Sequence, residues 1–309
     1  MRLVEIWKYP VKSMSGGTVG AAELDLLGIV GDRHWAVRSE EIGGIRGAKK
    51  LGSLMLLAAE EVPGEAGRRS VRILLPDGTV VSSDDSDAND RISVAIGHRV
   101  VLESLPADTE SSLEHFRRGA PVGDDPMAEL RGIFGREDGE PLPDFSVFPP
   151  VIAEFESPPG THYDCWPLMV MTTQALRAMQ SALPESVIDV RRFRPSLVID
   201  AEGLDVGTTG HPEFSWKGRA VRVGGDDGPV IEFLDPCPRC VMTTREVNPG
   251  SYAPDTDLIG DVPFARDGVI PPDRAVLRHI VRDLDQNLGI YARIVRGGTV
   301  RAGDSVTFF

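Results

Sequence analysis

A chain of 309 residues, 41% hydrophobic and 26% charged, is long enough to bury a real core in one large or two modest domains. Its formal net charge of −14 argues against a nucleic-acid partner and makes any local gathering of Arg and Lys informative. No stretch approaches the roughly 18 uninterrupted apolar residues of a membrane span, the N-terminus lacks the apolar centre of a signal peptide, and three cysteines are too few for a disulfide framework, so a cytoplasmic protein is expected.

In chain order, short strands are predicted over LVEIWKY (3–9), AAELDLL (21–27), HWAVRS (34–39), SVRILL (70–75), TVVSS (79–83) and HRVVLES (98–104), separated by turn signals such as SGG and PDG. One helix, LMLLAAEEV (54–62), is predicted to interrupt them. This spacing suits an antiparallel barrel or sandwich over residues 1–105. Residues 106–163 read as a connecting region, with two short polar helices in SSLEHFRRG and MAELRGIFGR and then a proline-rich run that wraps the surface.

A second unit is expected over 164–309. It opens with the helix TTQALRAMQSALPES, capped by Thr172 or Thr173, and continues with strands PSLVID (195–200), RAVRVGG (219–225) and PVIEFLD (229–235). The helix PDRAVLRHIVRDLDQNLG (272–289) is expected to stop at Gly289, before the strand IYARIV and a terminal hairpin through RAGDSVTFF. The whole reads as mainly β with a few helices (α+β), not as a doubly wound sheet.

The chemistry is concentrated in DPCPRCVMTT (235–244), where Cys237 and Cys240 form a C-x-x-C. A structural zinc needs four ligands, and Cys165 with the six histidines offers no second pair. A redox dithiol would open a helix after a strand, whereas VMTTREV is β-branched. Two small buried cysteines at a strand end remain possible on these grounds. Against that, Pro236 and Pro238 fix the backbone, and Arg239 favours thiolate at Cys240, a nucleophile and a soft metal ligand.

Three other stretches carry cations near turns: Lys12 and Ser13 in YPVKSMSGG, Arg33 in GDRHW, and Arg194 in RRFRPSLVID, where Pro195 ends a helical tendency at a strand mouth. Each alone reads as a solvated side chain. His162 and His211 read as surface or loop histidines.

Taken together, YPVKSMSG, GDRHWAV, PPGTHYDCWPLMVMTT, RRFRPSLVID, DPCPRC followed by MTT, and GIYARIVRGGTVRAGDSV occur in the order seen in MOSC-domain proteins, and the chain resembles that family, which includes the mitochondrial amidoxime-reducing component and its bacterial relatives. The resemblance implies an N-terminal β-barrel-like domain packed on a MOSC-type β-barrel that also receives N-terminal segments, with a molybdenum cofactor (Mo-molybdopterin) between them. Cys240 would be the metal ligand, flanked by Pro238 and Arg239, and Cys237 would be dispensable. Lys12, Ser13 and Arg33 would contact the cofactor, with Asp164, Cys165 and Trp166 on another side. Arg194, Pro195 and Ser196 would complete the site, although Ser196 departs from the Asn found in the mitochondrial proteins.

The implied activity is reduction of small N-hydroxylated substrates (amidoximes, hydroxylamines, N-hydroxylated bases), with Asp164 as a proton relay. No ferredoxin-type cysteine run is present, so no iron–sulfur cluster is expected in this chain, and electrons would come from a separate ferredoxin- or flavoprotein-type donor. No pyridoxal phosphate, membrane or nucleic acid is expected. The alternative is a carrier of cofactor or sulfur without turnover, with Cys240 as ligand or persulfide site. A β-rich binding module that has lost its cofactor is the third reading.

Overall fold

Short apolar runs bounded by glycine and proline become strands, and the computed structural model arranges them in four sheets among the residues it describes, 1–64, 68–119, 121, 123–204, 210–248 and 269–309. The N-terminal elements are β1 (Arg2–Lys8), β2 (Gly17–Thr18), β3 (Ala21–Asp25), β4 (Gly28–Ile29), β5 (Trp35–Ser39), β6 (Ile45–Arg46), β7 (Ala58–Pro63), β8 (Arg69–Leu74), β9 (Val80–Ser82), α1 (Ala88–Ile96) and β10 (Val100–Ser104). Next come α2 (Leu113–Phe116), α3 (Pro126–Phe134), β11 (Leu168–Thr172), α4 (Thr173–Ala182), α5 (Val190–Phe193), β12 (Leu197–Asp200), β13 (Ala220–Val223) and β14 (Val230–Pro238). The chain finishes with α6 (Arg274–Asp283), β15 (Asn287–Arg296), β16 (Gly298–Arg301) and β17 (Val306–Phe308).

The largest sheet has eight strands in the order β17-β13-β14-β15-β11-β12-β1-β2. The first strand of the chain therefore pairs with β12, from the C-terminal half. Only β11 and β12 run parallel in it, because the α4–α5 crossover connects them. Alternate residues feed two cores: Met169 and Met171 face the one that receives α4 and α6, while Leu168 and Val170 face the other. A third core, built on Val37, Leu54, Ile73 and Ile92, takes in Met242 from just beyond the C-x-x-C. That contact ties the cysteine turn to the N-terminal elements.

The mainly β architecture with a few helices is as expected, but several elements differ. Residues 54–62 are not a helix. A 3-10 turn (Gly52–Leu56) leads directly into β7, and Leu54, Met55 and Leu57 are all fully buried, so no helical face existed to distinguish them. Helix α1 went unpredicted, despite an αL stop at Gly97. Helix α6 ends at Asp283, and Gly289 instead lies inside β15, where an added Cβ would come 2.9 Å from the Val170 carbonyl. The terminal hairpin does not form, since β16 pairs with β3 and β17 with β13. His162 and His211 are buried, not superficial.

Candidate functional site

Four chain turns meet at one place: the segment after β1 that carries Lys12 and Ser13, the α5–β12 junction at Arg194, the loop before β11 at Asp164, and the end of β14 at Cys240. They open onto a cavity of about 700 Å3. Every residue expected at the site lines it except Pro195, whose carbonyl accepts the Tyr9 hydroxyl at 3.0 Å. Strand β14 reaches it through register shifts at Pro236 and Pro238, and bulges of this kind re-aim a strand end.

Lys12 is almost fully buried and spends its three N–H donors on Asp164 Oδ1 (2.6 Å), the His162 carbonyl (2.8 Å) and Ser157 Oγ (3.3 Å). Lys49 takes the other carboxylate oxygen, with Nζ 2.9 Å from Oδ2. Burial alone would raise the Asp164 pKa, but the two ammonium groups outweigh it and hold the carboxyl well below the usual range. Lys49 was missed in the sequence. Its signal was the Lys49–Lys50 doublet, since three of the chain's five lysines line this cavity. Ser13 sets the doublet in place, accepting the Ala48 N–H at 2.8 Å.

The arginines are held under strain. Ser13 (φ 71°), Arg33 (φ 48°) and Arg194 (φ 58°) all adopt the left-handed backbone that costs non-glycine residues about 1–3 kcal/mol each. Arg33 pairs with Asp32, and the guanidinium groups of Arg33 (4.8 Å) and Arg194 (4.2 Å) both approach the Tyr9 ring. Arg194 Nη1 donates to the Met14 carbonyl at 2.6 Å, whereas its buried Nη2 has no hydrogen-bond partner among the described residues. Burial first, and then the neighbouring Arg33 charge, push the Arg194 pKa down to about 10. Arg194 lines the cavity, and a guanidinium suits an anionic ligand.

The thiols occupy one corner. Cys240 is half-buried at the start of a 3-10 turn (Val241–Thr244), a conformation its β-branched sequence did not suggest. Lys49, Arg136 and Arg239 all lie within its electrostatic reach. Cys237, expected to be dispensable, is buried on the cavity wall and accepts Arg239 Nη1 at 3.2 Å. The Tyr291 hydroxyl is within hydrogen-bond range of both Cys237 and Cys165. Burial pushes the Cys165 thiol up to about 12, so Cys165 stays neutral.

Three supports were also invisible in the sequence. Arg136 is buried and ties α3 to the cysteine turn, donating to the carbonyls of Phe134 (2.5 Å) and Arg239 (3.2 Å) and to Gln286 Oε1 (3.0 Å). Arg192 donates to the carbonyls of Thr243 (2.9 Å), Arg245 (3.1 Å) and Pro271 (2.8 Å), fixing the segment after Cys240. His162 donates from Nδ1 to the Arg33 carbonyl (3.1 Å), which leaves its Nε2 to accept from His115 Nε2 at 2.9 Å.

Comparison with known proteins accounts for this arrangement. The family model for the MOSC domain matches residues 159–307, and that for the MOSC N-terminal beta barrel domain matches residues 1–93. The chain belongs to the MOSC-domain family. This MOSC protein is similar to mitochondrial amidoxime reducing component 2 of Bos taurus, at 23% identity over 266 residues, which covers 80% of this chain and 67% of the relative. Among solved structures, the YUAD protein from Bacillus subtilis superposes with a TM-score of 0.40 at 10% identity, covering 99% of this chain and 93% of that one. YiiM from Geobacillus stearothermophilus gives a TM-score of 0.28 at 10% identity, covering 47% and 54%. MOSC domains are associated with molybdenum-cofactor binding, and the residues present fit such a group: a cysteine, a soft metal ligand, shares the cavity wall with cationic Arg33 and Arg194. No helix among the described residues is long and apolar enough to cross a membrane.

Proposed function

We propose that this MOSC protein binds a molybdenum cofactor in the cavity and there reduces N-hydroxylated compounds, using electrons from a separate ferredoxin- or flavoprotein-type donor. The observation that carries the reading is the Arg194 guanidinium, part of a cavity wall that also holds a half-buried Cys240 and two strained cationic turns. In an acidic chain such a concentration of cations calls for an anionic ligand.

Arg194 and Arg33 would hold the anionic part of the cofactor, Lys12 and Lys49 would set the potential of the wall, and the Cys240 thiolate would be the metal ligand. Arg239 places its charge between the two cysteines and donates to Cys237 Sγ at 3.2 Å. The bound cofactor supplies two-electron chemistry: an amidoxime, two electrons and two protons give an amidine and water. Asp164 suits an anchoring role better than the relay first expected of it. Both of its oxygens accept from ammonium groups, and its carboxyl carries no proton to give. Trp166 Nε1 donates to the Val147 carbonyl at 2.9 Å, which fixes the indole on the cavity wall.

The test is to purify the protein from a host that makes the cofactor, measure molybdenum and pterin, and assay benzamidoxime with a chemical reductant. Stoichiometric cofactor with turnover supports the reductase. Cofactor without turnover gives the carrier reading instead, and absence of cofactor removes both.

A further inference from the structure

We infer that residues 126–153, which neither family model matches, build an aromatic wall that selects substrates with a flat, uncharged aromatic body. This deepens the reductase reading and rests on it for the identity of the reacting group.

Three phenylalanines form the wall. Phe134 ends α3, Phe145 begins a 3-10 turn (Phe145–Val147), and Phe148 follows it. Their ring centroids lie 5.9 Å (Phe134–Phe145), 6.2 Å (Phe134–Phe148) and 6.2 Å (Phe145–Phe148) apart, within the range of favourable aromatic pairs. Phe148 then meets Tyr291 edge-on at 6.4 Å, and Tyr291 reaches the thiol corner. A chain of aromatic rings thus runs from the exposed Phe145 to the corner of Cys165 and Cys237.

The wall is held rigidly. Trp166 grips its turn through the Val147 carbonyl, and Arg136 bonds both the Phe134 carbonyl and the Arg239 carbonyl beside Cys240. Phe145 nevertheless keeps 47% of its surface exposed, so its ring offers an uncovered apolar face.

Charge selects the occupant. On this side of the cavity the ionic groups neutralise one another, Lys50 with Glu129 at 2.6 Å and Arg118 with Glu156 at 3.1 Å. Arg194 and its electrostatic neighbour Arg33 form a separate cationic part of the same cavity wall. An anionic group is therefore drawn to Arg194, and the aromatic side favours a neutral planar ring that stacks without desolvating a charge. An arylamidoxime has that shape.

The wall is tested by equilibrium binding without reductant, so that nothing turns over. Benzamidoxime and acetamidoxime are titrated calorimetrically into the cofactor-loaded protein, as wild type, Phe145→Ala and Phe145→Tyr, with Phe145→Leu as a second variant that keeps apolar bulk but no ring. Wild type is expected to prefer benzamidoxime. Phe145→Ala should weaken benzamidoxime about three- to tenfold while leaving acetamidoxime unchanged, and Phe145→Tyr should restore the preference. Equal affinity for the two ligands in wild type, or an equal loss for both in Phe145→Ala and Phe145→Leu, overturns the proposal. A Phe145-dependent preference with no turnover on adding reductant keeps the wall and sinks the reductase reading. Turnover of both compounds with a ratio indifferent to Phe145 does the reverse.

Discussion

Lys49 and Asp164 form an ion pair across the cavity wall, Nζ to Oδ2 2.9 Å, and they do so while Lys12 holds the other carboxylate oxygen at 2.6 Å. One carboxylate thus keeps two cations in place beside Cys240 before any ligand arrives.

Asp164→Asn should therefore loosen both lysines and lower stability at neutral pH by about 1 kcal/mol, a figure kept small because Asp164 is 42% exposed. The folded carboxyl titrates below its unfolded value of roughly 3.9, so its contribution is complete above that value and is lost as pH falls through the folded pKa. Denaturant midpoints below about pH 4 should fall less steeply in Asp164→Asn than in wild type. Parallel curves would contradict the anchoring role.

His162 governs a different pH window. Burial first, then the Lys12 and His115 charges, depress its pKa well below the ordinary 6.5. The unfolded chain therefore takes up the proton first, and stability declines as pH drops below about 6.5. His162→Gln keeps a hydrogen-bonding side chain without the titration. Its stability should vary less between about pH 6.5 and 5, as read by thermal unfolding.

Arg194→Met removes a guanidinium and its charge from the cavity wall. One charge-assisted hydrogen bond is worth about 1.5–3 kcal/mol, so cofactor retention through dialysis should fall at least about tenfold. Unchanged retention would remove Arg194 from the binding surface.

Arg136→Met would leave the Arg239 carbonyl and the Gln286 side chain without their partner and break the tie between α3 and the cysteine turn. A loss of about 3 kcal/mol in urea unfolding is expected, the usual scale for a buried network left unsatisfied. A loss below about 1 kcal/mol would mean the clamp is not needed for folding.

Many strands were legible because their apolar runs are short and punctuated, although β11 went unread and β7 was taken for helix; Thr172 was legible as an N-cap, its Oγ1 accepting the Ala175 N–H at 3.1 Å. The 54–62 segment was not, because Leu54, Met55, Leu57, Ala58 and Ala59 are all buried and leave no helical period to read. Helix α1 was hidden by its β-branched Ile92, Val94 and Ile96, which tertiary packing overrides. In the site, Lys12, Ser13, Arg33 and Arg194 each looked bland until their motifs were considered in order. Lys49, Arg136 and Arg192 stayed hidden because their roles depend on partners far along the chain, such as Asp164 for Lys49 and the Thr243 carbonyl for Arg192. The left-handed turns at Arg33 and Arg194 have no sequence signature, since glycine, the usual marker of that conformation, is absent there.

The most direct test is molybdenum and pterin content, with metal-edge X-ray absorption, on wild type beside Cys240→Ser, both made in a host that synthesises the cofactor. Near-stoichiometric molybdenum with a sulfur ligand lost in the variant is the predicted result. Equal metal and identical absorption spectra in the two proteins would contradict the assignment of Cys240 as the ligand.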